Sequence, residues 1–498
     1  MNSLTPNVII DPPTTLICKI AVVGSGPGGA ITACLLAEAG ENVLLIEEGS
    51  FWPLESCEPF SPAEMIQKYR HGGLTAAFGK PKIQYVEGCC VGGGSEINSA
   101  LYHRTPAEIL ERWRRDFAVD GLTEKDLLPH FTACETAVQV CSLPGKAPIA
   151  SLKLHEGATR LGWESLEVPR WFQYQAQTDG TTSPQGTRQS MTKTFIPRAL
   201  AAGCQLLTNT RIHRISQQGK QWLLKGEFTG SDQPRKLIEI SAENLFICCG
   251  AIQTPALLRR SGITHNIGNS LQVHPTVKII AQFPEAVNSL DMGVPVHQVK
   301  EFSPEFSLGC SISSPPYLAV AMTDHPQYRS IIHDSWENMA VYYAMITGEG
   351  QGTVRNLPIY RDPWVQYPLT QSDLELLSKA LKKLAMALFE AGATYLYPSI
   401  TKTQRLMHSG KVDQISIDQI PTVLPPDRTN LMTVHLFSSC PMGENQQYCA
   451  TDSFGKVHGF DHLYIADASL LCTAPGVNPQ GSIMAIARRN ALKFLGRL

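Results

Sequence analysis

The run Cys18 to Val23 is almost wholly apolar and predicts a short strand buried on both faces. It leads without a break into Gly24-Ser25-Gly26-Pro27-Gly28-Gly29. Ala30 to Gly40 then has helical character and stops on a glycine, which predicts a helix closed by a glycine cap. Val43 to Ile46 predicts a second buried strand, and it ends on Glu47. The polar, proline-bearing stretch Met1 to Thr15 reads as an irregular arm before the first strand. Farther on, Leu206 to Ile215 and Leu237 to Cys248 predict strands, and Gly250 to Pro255 turns the chain into a helix over Ala256 to Arg260. Ala340 to Ile346 predicts another strand. Thr370-Gln371-Ser372-Asp373 is a helix start of the capping-box type. Leu374, Leu377, Leu381, Leu384 and Leu388 line one face of the helix that follows, a stripe suited to packing on a sheet.

The strand, glycine turn, helix, strand and acid form one unit with a physical task for each part. Gly24 permits the tight turn, Gly26 lets the backbone approach a pyrophosphate, and Gly29 lets helix and strand pack closely. The helix N-terminus offers N–H groups and partial positive charge to phosphates. Glu47, about 20 residues on, can take the hydroxyls of an adenosine ribose. The unit predicts a dinucleotide and leaves FAD and NAD open.

A second glycine cluster, Gly88-Cys89-Cys90-Val91-Gly92-Gly93-Gly94-Ser95-Glu96-Ile97-Asn98-Ser99, suits neither helix nor strand. Gly92 and Gly93 suit a backbone lying flat against a large planar group, with Ser95 and Asn98 as hydrogen-bonding side chains; alone, the segment also suits a surface loop. Near the C-terminus stand His435, in Val434-His435-Leu436-Phe437-Ser438-Ser439-Cys440-Pro441-Met442-Gly443, then Asp467, and then Asn478 just before Pro479 opens a helix. A histidine titrating near neutrality suits removal of a hydroxyl proton, and an amide beside it can hold the oxygen. His274, in Leu271-Gln272-Val273-His274-Pro275, reads as structural, and Cys440 as a small apolar filler.

At 498 residues the chain predicts two or three domains. Charged residues make up 17%, below the roughly 25% of typical soluble proteins, which fits a well-buried enzyme. Forty-two basic and 44 acidic residues leave a net charge of -2, so no field favours nucleic acid or an anionic membrane. No apolar run reaches the roughly 20 residues of a transmembrane helix, and the N-terminus lacks signal-peptide character. The 14 cysteines lack paired metal-knuckle spacing and read as buried free thiols of a reducing compartment, so no metal and a cytoplasmic location are expected.

Four blocks, Gly24 to Glu47, Gly88 to Pro106, Cys249 to Pro255 and His435 to Asn478, together resemble the glucose–methanol–choline oxidoreductases, FAD-dependent alcohol oxidases and dehydrogenases, in that family's order. The resemblance implies an α/β fold: a Rossmann-like FAD-binding domain built from discontinuous segments, and a smaller α+β substrate domain with an antiparallel sheet. The implied FAD-binding segments are 16–106, 201–285 and 426–498, and the substrate segments 107–200 and 286–425. It implies hydride transfer from a small-molecule alcohol to flavin N5, with His435 as base, Asn478 holding the substrate oxygen, and O₂ or another molecule as electron acceptor. It places Ile212 near the adenine end, Asp467 near the ribityl or pyrophosphate part, and Pro479 beside the flavin. Where some members attach FAD through a histidine, this chain has Ile97, so FAD is expected to be non-covalent. The apolar and aromatic residues of 286–425 point to a lipophilic substrate, long-chain or sterol-like. The commoner form of the His435 motif has glycine where Ser438 or Ser439 stands. The same fold also hosts a hydroxynitrile lyase and a fatty-acid photodecarboxylase; these, a catalytically silent flavoprotein, and a nicotinamide enzyme are the alternatives.

Overall fold

A computed structural model describes residues 7–176, 182–230, 235–407 and 417–498. Two large sheets dominate the described residues. In the first, Val8–Ile9, Gln205–Leu207, Val43–Ile46, Thr15–Val23 and Lys236–Ile247 lie side by side, and Leu463–Ile465 also pairs with Lys236–Ile247. These pairings are all parallel. Gln221–Phe228 and Thr210–Gln218 extend the sheet as an antiparallel hairpin. The continuous apolar runs follow from burial on both faces: Ile20, Ala21, Val22, Leu45 and Ile46 expose none of their surface.

Part of the expected N-terminal arm is a strand, since Val8–Ile9 pairs with Leu206 and Leu207; residues 1–6 lie outside the described residues. The first helix is Pro27–Glu38, beginning before Ala30 because Gly26 caps it and Pro27 has no N–H to satisfy in the first turn. Gly40, at φ +86°, closes it as expected. The helix expected over Ala256 to Arg260 begins at Gly250 and keeps Pro255 inside it. Pro255 cannot donate to the carbonyl of Ala251. The Ser439 hydroxyl donates to that oxygen instead, at 2.6 Å, which ties this helix to the His435 segment.

The second sheet has ten strands among the described residues. Its centre is Leu431–Thr433, Thr276–Gln282, Met339–Ile346, Phe306–Cys310 and His297–Val299 in that order. Neighbours here are antiparallel. Its faces sort by the two-residue period of a strand. Val277, Ile279 and Ala281 share a core with Leu377, Leu381, Leu384 and Leu388 of the helix Gln371–Glu390. That helix starts on the expected capping box: the Thr370 hydroxyl accepts from the Asp373 N–H, and the Asp373 carboxylate from the Thr370 N–H, both at 3.0 Å. Thr276 and Lys278 point the other way, into a cavity.

The stretch 107–200 divides between the two sheets, where the sequence suggested one substrate segment. Ile109, Leu110 and Trp113 of Ala107–Phe117 pack into the first core with Leu127, Phe131, Phe195 and Ile196. Ala150, Leu154 and Ala158 of Ile149–Arg160 join the second. The apolar face of each helix decides its side, and sequence order does not. All 14 cysteines are free thiols, and no described helix is long and apolar enough to cross a membrane.

Candidate active site

The two glycine clusters touch. A Cβ on Gly93 would lie 2.9 Å from the Cα of Gly26, and the Gly92 N–H donates to the Ser25 hydroxyl at 3.0 Å. Ser25 in turn donates its hydroxyl and its backbone N–H to one carboxylate oxygen of Glu47, at 2.6 and 3.0 Å, while the Gly49 N–H reaches the other oxygen at 2.9 Å. One relay, Gly92 to Ser25 to Glu47, thus fixes both loops and the acid. Burial pushes the Glu47 carboxyl up, against the pull of these donors.

The rest of the cradle assembles around the same helix start. A Cβ on Gly28 would fall 1.8 Å from the carbonyl oxygen of Ala466, so only glycine lets the Asp467 segment approach. A Cβ on Gly29 would fall 1.9 Å from the carbonyl oxygen of Gly24, which is the close packing its place in the turn implied. Gly26, by contrast, has no atom within 4 Å of its Cβ direction and faces open space. Asp467 accepts from the Gly250 N–H at 2.9 Å and the Ser469 N–H at 2.8 Å, so it joins the start of Gly250–Arg260 to its own loop. Ser95 is buried and holds its loop, donating to the Gly92 carbonyl at 2.8 Å and accepting from the Met191 N–H at 3.0 Å. Asn98 donates to Gln480, the first residue of the helix Gln480–Phe494. That helix begins one residue after Pro479, which occupies the cap. The amide nitrogen of Gln480 is buried without a partner among the described residues. An open glycine face, a helix start and an unpartnered donor fit a dinucleotide with a flavin ring. The Ile212 side chain is buried in the first core.

Register brings the reacting groups together. Gln272 pairs with Phe437 and Val273 with Leu436, so the next pair in the ladder is His274 and His435. Their Nδ1 atoms are 3.0 Å apart, and the rings meet edge to face at 5.2 Å. The His435 N–H donates to the Thr433 hydroxyl at 3.1 Å, which fixes the backbone entering the motif. Asn478 places its Nδ2 at 3.3 Å from His435 Nε2. Behind it, the Gln298 amide reaches Asn478 Oδ1 at 3.4 Å and the Tyr343 hydroxyl at 2.9 Å. The Gly476 N–H donates to His274 Nε2 at 3.2 Å, so His274 holds both the His435 ring and the Asn478 loop.

His435 and Asn478 line a cavity of about 100 Å³ with Leu101, Val294, Ile312, Met345, Met432 and Lys278 among its walls. Burial, and then the charge of Lys300, brings the His435 imidazole down to about 3, so it is neutral across the physiological range. His103 and His274 are likewise held neutral, chiefly by burial. Lys300 is lowered to about 8 by burial, and its ammonium has no partner among the described residues.

Of the residues that sequence reasoning named, His435 and Asn478 meet at this cavity, while Gly24, Gly26, Gly29, Glu47, Gly92, Gly93 and Ser95 gather at the two glycine loops, Asp467 at the start of Gly250–Arg260, and Asn98 and Pro479 at the start of Gln480–Phe494. It missed His274 as a neighbour of His435, along with His103, Lys278, Gln298, Lys300 and Tyr343. The apolar run around Gln272 and Val273 was the available signal for His274, because a strand there must pair with something. Nothing in the sequence pairs it with Leu436.

Known proteins share this arrangement of chain. Residues 65–276 match the N-terminal profile, and 350–487 the C-terminal profile, of a family described as GMC oxidoreductase. An uncharacterised GMC-type oxidoreductase of Sinorhizobium fredii is 37% identical over 477 residues, 94% of this chain and 93% of that protein. A long-chain-alcohol oxidase of Arabidopsis thaliana is 26% identical over 508 residues, 94% of this chain and 67% of its own. The crystal structure of pyridoxine 4-oxidase from Mesorbium loti superposes with a TM-score of 0.70 at 19% identity, covering 96% of this chain and 99% of that one, which is a likeness of fold.

Proposed function

This chain belongs to the GMC oxidoreductase family as an FAD-dependent oxidoreductase of CH–OH groups, and from that premise we propose that it oxidises a lipophilic alcohol to the aldehyde or ketone, with His435 as base. The observation that carries the reading is the placement of His435 Nε2 and Asn478 Nδ2, 3.3 Å apart, at a cavity walled mainly by apolar side chains. FAD, when bound, supplies the hydride acceptor. His435 takes the hydroxyl proton on Nε2. Asn478 holds the oxygen and is itself held by Gln298. Gly26, Glu47, Gly92, Gly93, Asn98, Asp467 and the helix start at Gln480 hold the cofactor. The apolar walls exclude water, which strengthens each polar contact inside. The long-chain-alcohol oxidases among the relatives support a lipophilic substrate.

Anaerobic titration of the holoenzyme with aliphatic, aromatic and sterol alcohols tests the reading. Bleaching of the oxidised flavin spectrum by one class establishes the reaction; no bleaching by any of them removes it. His435→Ala lowers kcat by roughly 10²- to 10⁴-fold with FAD still bound, the usual contribution of a general base. Turnover near the wild-type rate would take that role from His435.

We further propose that FAD is held without a covalent bond, because Ile97 offers no nucleophile and is itself buried. Acid-denatured protein then releases all of its colour to the supernatant; a yellow pellet would contradict this.

A further inference from the structure

Among the described residues, Lys278 is the one charged side chain, histidine aside, lining the cavity that holds His435 and Asn478. It alternates with Thr276 on the face of Thr276–Gln282 turned away from the leucine-rich helix. The ladder places it opposite Tyr343, and Tyr343 and Met345 line the same cavity. Among the described residues no carboxylate comes within ion-pair distance of Lys278, and no Asp or Glu lines the cavity. A half-buried ammonium with no counter-ion is unfavourable and is retained where a ligand supplies the missing charge. Burial lowers Lys278 to about 8, and no neighbouring carboxylate opposes that shift.

We propose that the cavity takes an alcohol bearing an anionic oxygen group, such as a carboxylate, which Lys278 binds while His435 and Asn478 meet the hydroxyl at the other end. The inference rests on this cavity being the alcohol site. Lys278 is four positions along from His274, the neighbour of His435, so the two positions lie roughly 13 Å apart along an extended chain. The apolar residues that line the same cavity, Leu101, Val294, Ile312, Met345 and Met432, suit a methylene chain. A hydroxy acid of medium chain length therefore fits better than a plain alcohol, whose burial would leave the ammonium unpaired.

Octanoate, which cannot be oxidised at a hydroxyl, is the direct probe, followed by the perturbation it causes in the flavin spectrum of the holoenzyme. Octanoate should bind at least about tenfold tighter than octanol, and Lys278→Met should reduce that preference by about 10- to 100-fold, as expected for a hydrogen bond to a charged group. Lys278→Arg, which keeps the charge, should retain most of it. The same factor should appear between ω-hydroxyoctanoate and octanol in anaerobic flavin bleaching. Equal binding of octanoate and octanol, or an equal loss for both in Lys278→Met, overturns the anion site. Lysine-dependent octanoate binding without bleaching by either alcohol would keep the anion site and remove the oxidation reading. Bleaching by octanol with no octanoate binding would do the reverse.

Discussion

His274 Nδ1 lies 3.0 Å from His435 Nδ1, and a single proton fits between them. The other nitrogen of His274 faces the Gly476 N–H, which can only donate. Neutral His274 therefore carries its proton on Nδ1 and gives it to His435 Nδ1. Neutral His435 then carries its own proton on Nε2, the atom that faces Asn478. In this arrangement Nε2 is a donor. To accept a proton from an alcohol, the pair must shift: His435 becomes the donor on the shared line, and His274 moves its proton to Nε2, against Gly476. The shift gives up the 3.2 Å contact to Gly476, at a cost of about 1–3 kcal/mol for a buried group left unpaired. The ladder that sets His274 opposite His435 thus also sets the readiness of the proposed base.

His274→Phe keeps a ring in the space and removes both nitrogens. His435 then loses the partner that fixes its ring and tautomer, and the Asn478 loop loses its tie through Gly476. Flavin reduction should slow by roughly 10- to 100-fold, the scale of a misplaced catalytic group, while the apparent Kd for alcohol changes far less. Stopped-flow reduction at several alcohol concentrations separates the two. An unchanged limiting rate would mean that Thr433 and packing alone hold His435.

Burial first, and Lys300 second, set how far into acid the proposed base should work. The His435 imidazole must be neutral to take a proton, and burial with Lys300 behind it keeps it so down to about pH 3. Activity through His435 is therefore retained as pH falls from neutrality, and is lost only near that value. Lys300→Met removes a positive neighbour, so His435 holds a proton more easily and the acid limb of kcat/KM moves to higher pH. Stability carries the same sign. The folded-state values of His103, His274 and His435 all lie below the unfolded value of about 6.5, so the unfolded chain binds more protons below that pH. Folding free energy is full above about pH 6.5 and declines as pH drops toward the folded values. A pH profile of kcat/KM for both proteins, with Tm measured in parallel, checks each part; coincident acid limbs would remove Lys300 from the account.

Ser438 sits at φ +66°, a conformation that costs a residue with a side chain about 1 kcal/mol. Its hydroxyl is also buried without a partner among the described residues. The resemblance implies glycine at Ser438 or at Ser439. Ser438→Gly relieves the backbone and deletes the orphan hydroxyl, and it gives back part of that gain through the freer unfolded chain. A net stabilisation of about 0.5–1 kcal/mol should appear in denaturant titration. A lower stability would show that the hydroxyl finds a partner in the holoenzyme.

The nucleotide cradle was legible because its physics is local. Gly24, Gly26 and Gly29 lie in one turn, and Glu47 follows one helix and one strand later, so spacing alone describes the unit. The leucine stripe behind Thr370 was legible for the same reason. The site beyond the cradle is built by contacts distant in sequence. His274 meets His435 through a two-residue ladder, Ser439 meets Ala251 because Pro255 frees a carbonyl, and Gly93 rests on Gly26. Each needs two segments whose adjacency no single window records. The division of 107–200 between two cores was hidden likewise: the apolar faces of its helices are visible in the sequence, and the surfaces they choose are not.

The Gly92–Ser25–Glu47 relay makes the cofactor cradle depend on one hydroxyl. Ser25 accepts from one glycine loop and donates to the acid of the other, inside a fully buried position. In Ser25→Ala the Gly92 N–H loses its acceptor, at about 1–3 kcal/mol for a buried group left unpaired, and Glu47 loses its shortest donor while keeping the backbone N–H of residue 25. Both losses fall on the loops that hold the cofactor, so the holo state should suffer more than the fold. FAD affinity should weaken by about 10- to 100-fold, read as the ratio of flavin to protein absorbance after dialysis, and far-ultraviolet circular dichroism should be retained. Excess FAD should restore flavin reduction, because His435 and Asn478 are untouched. Full FAD retention after dialysis would mean that the cofactor itself holds the two glycine loops together, with Ser25 contributing only packing.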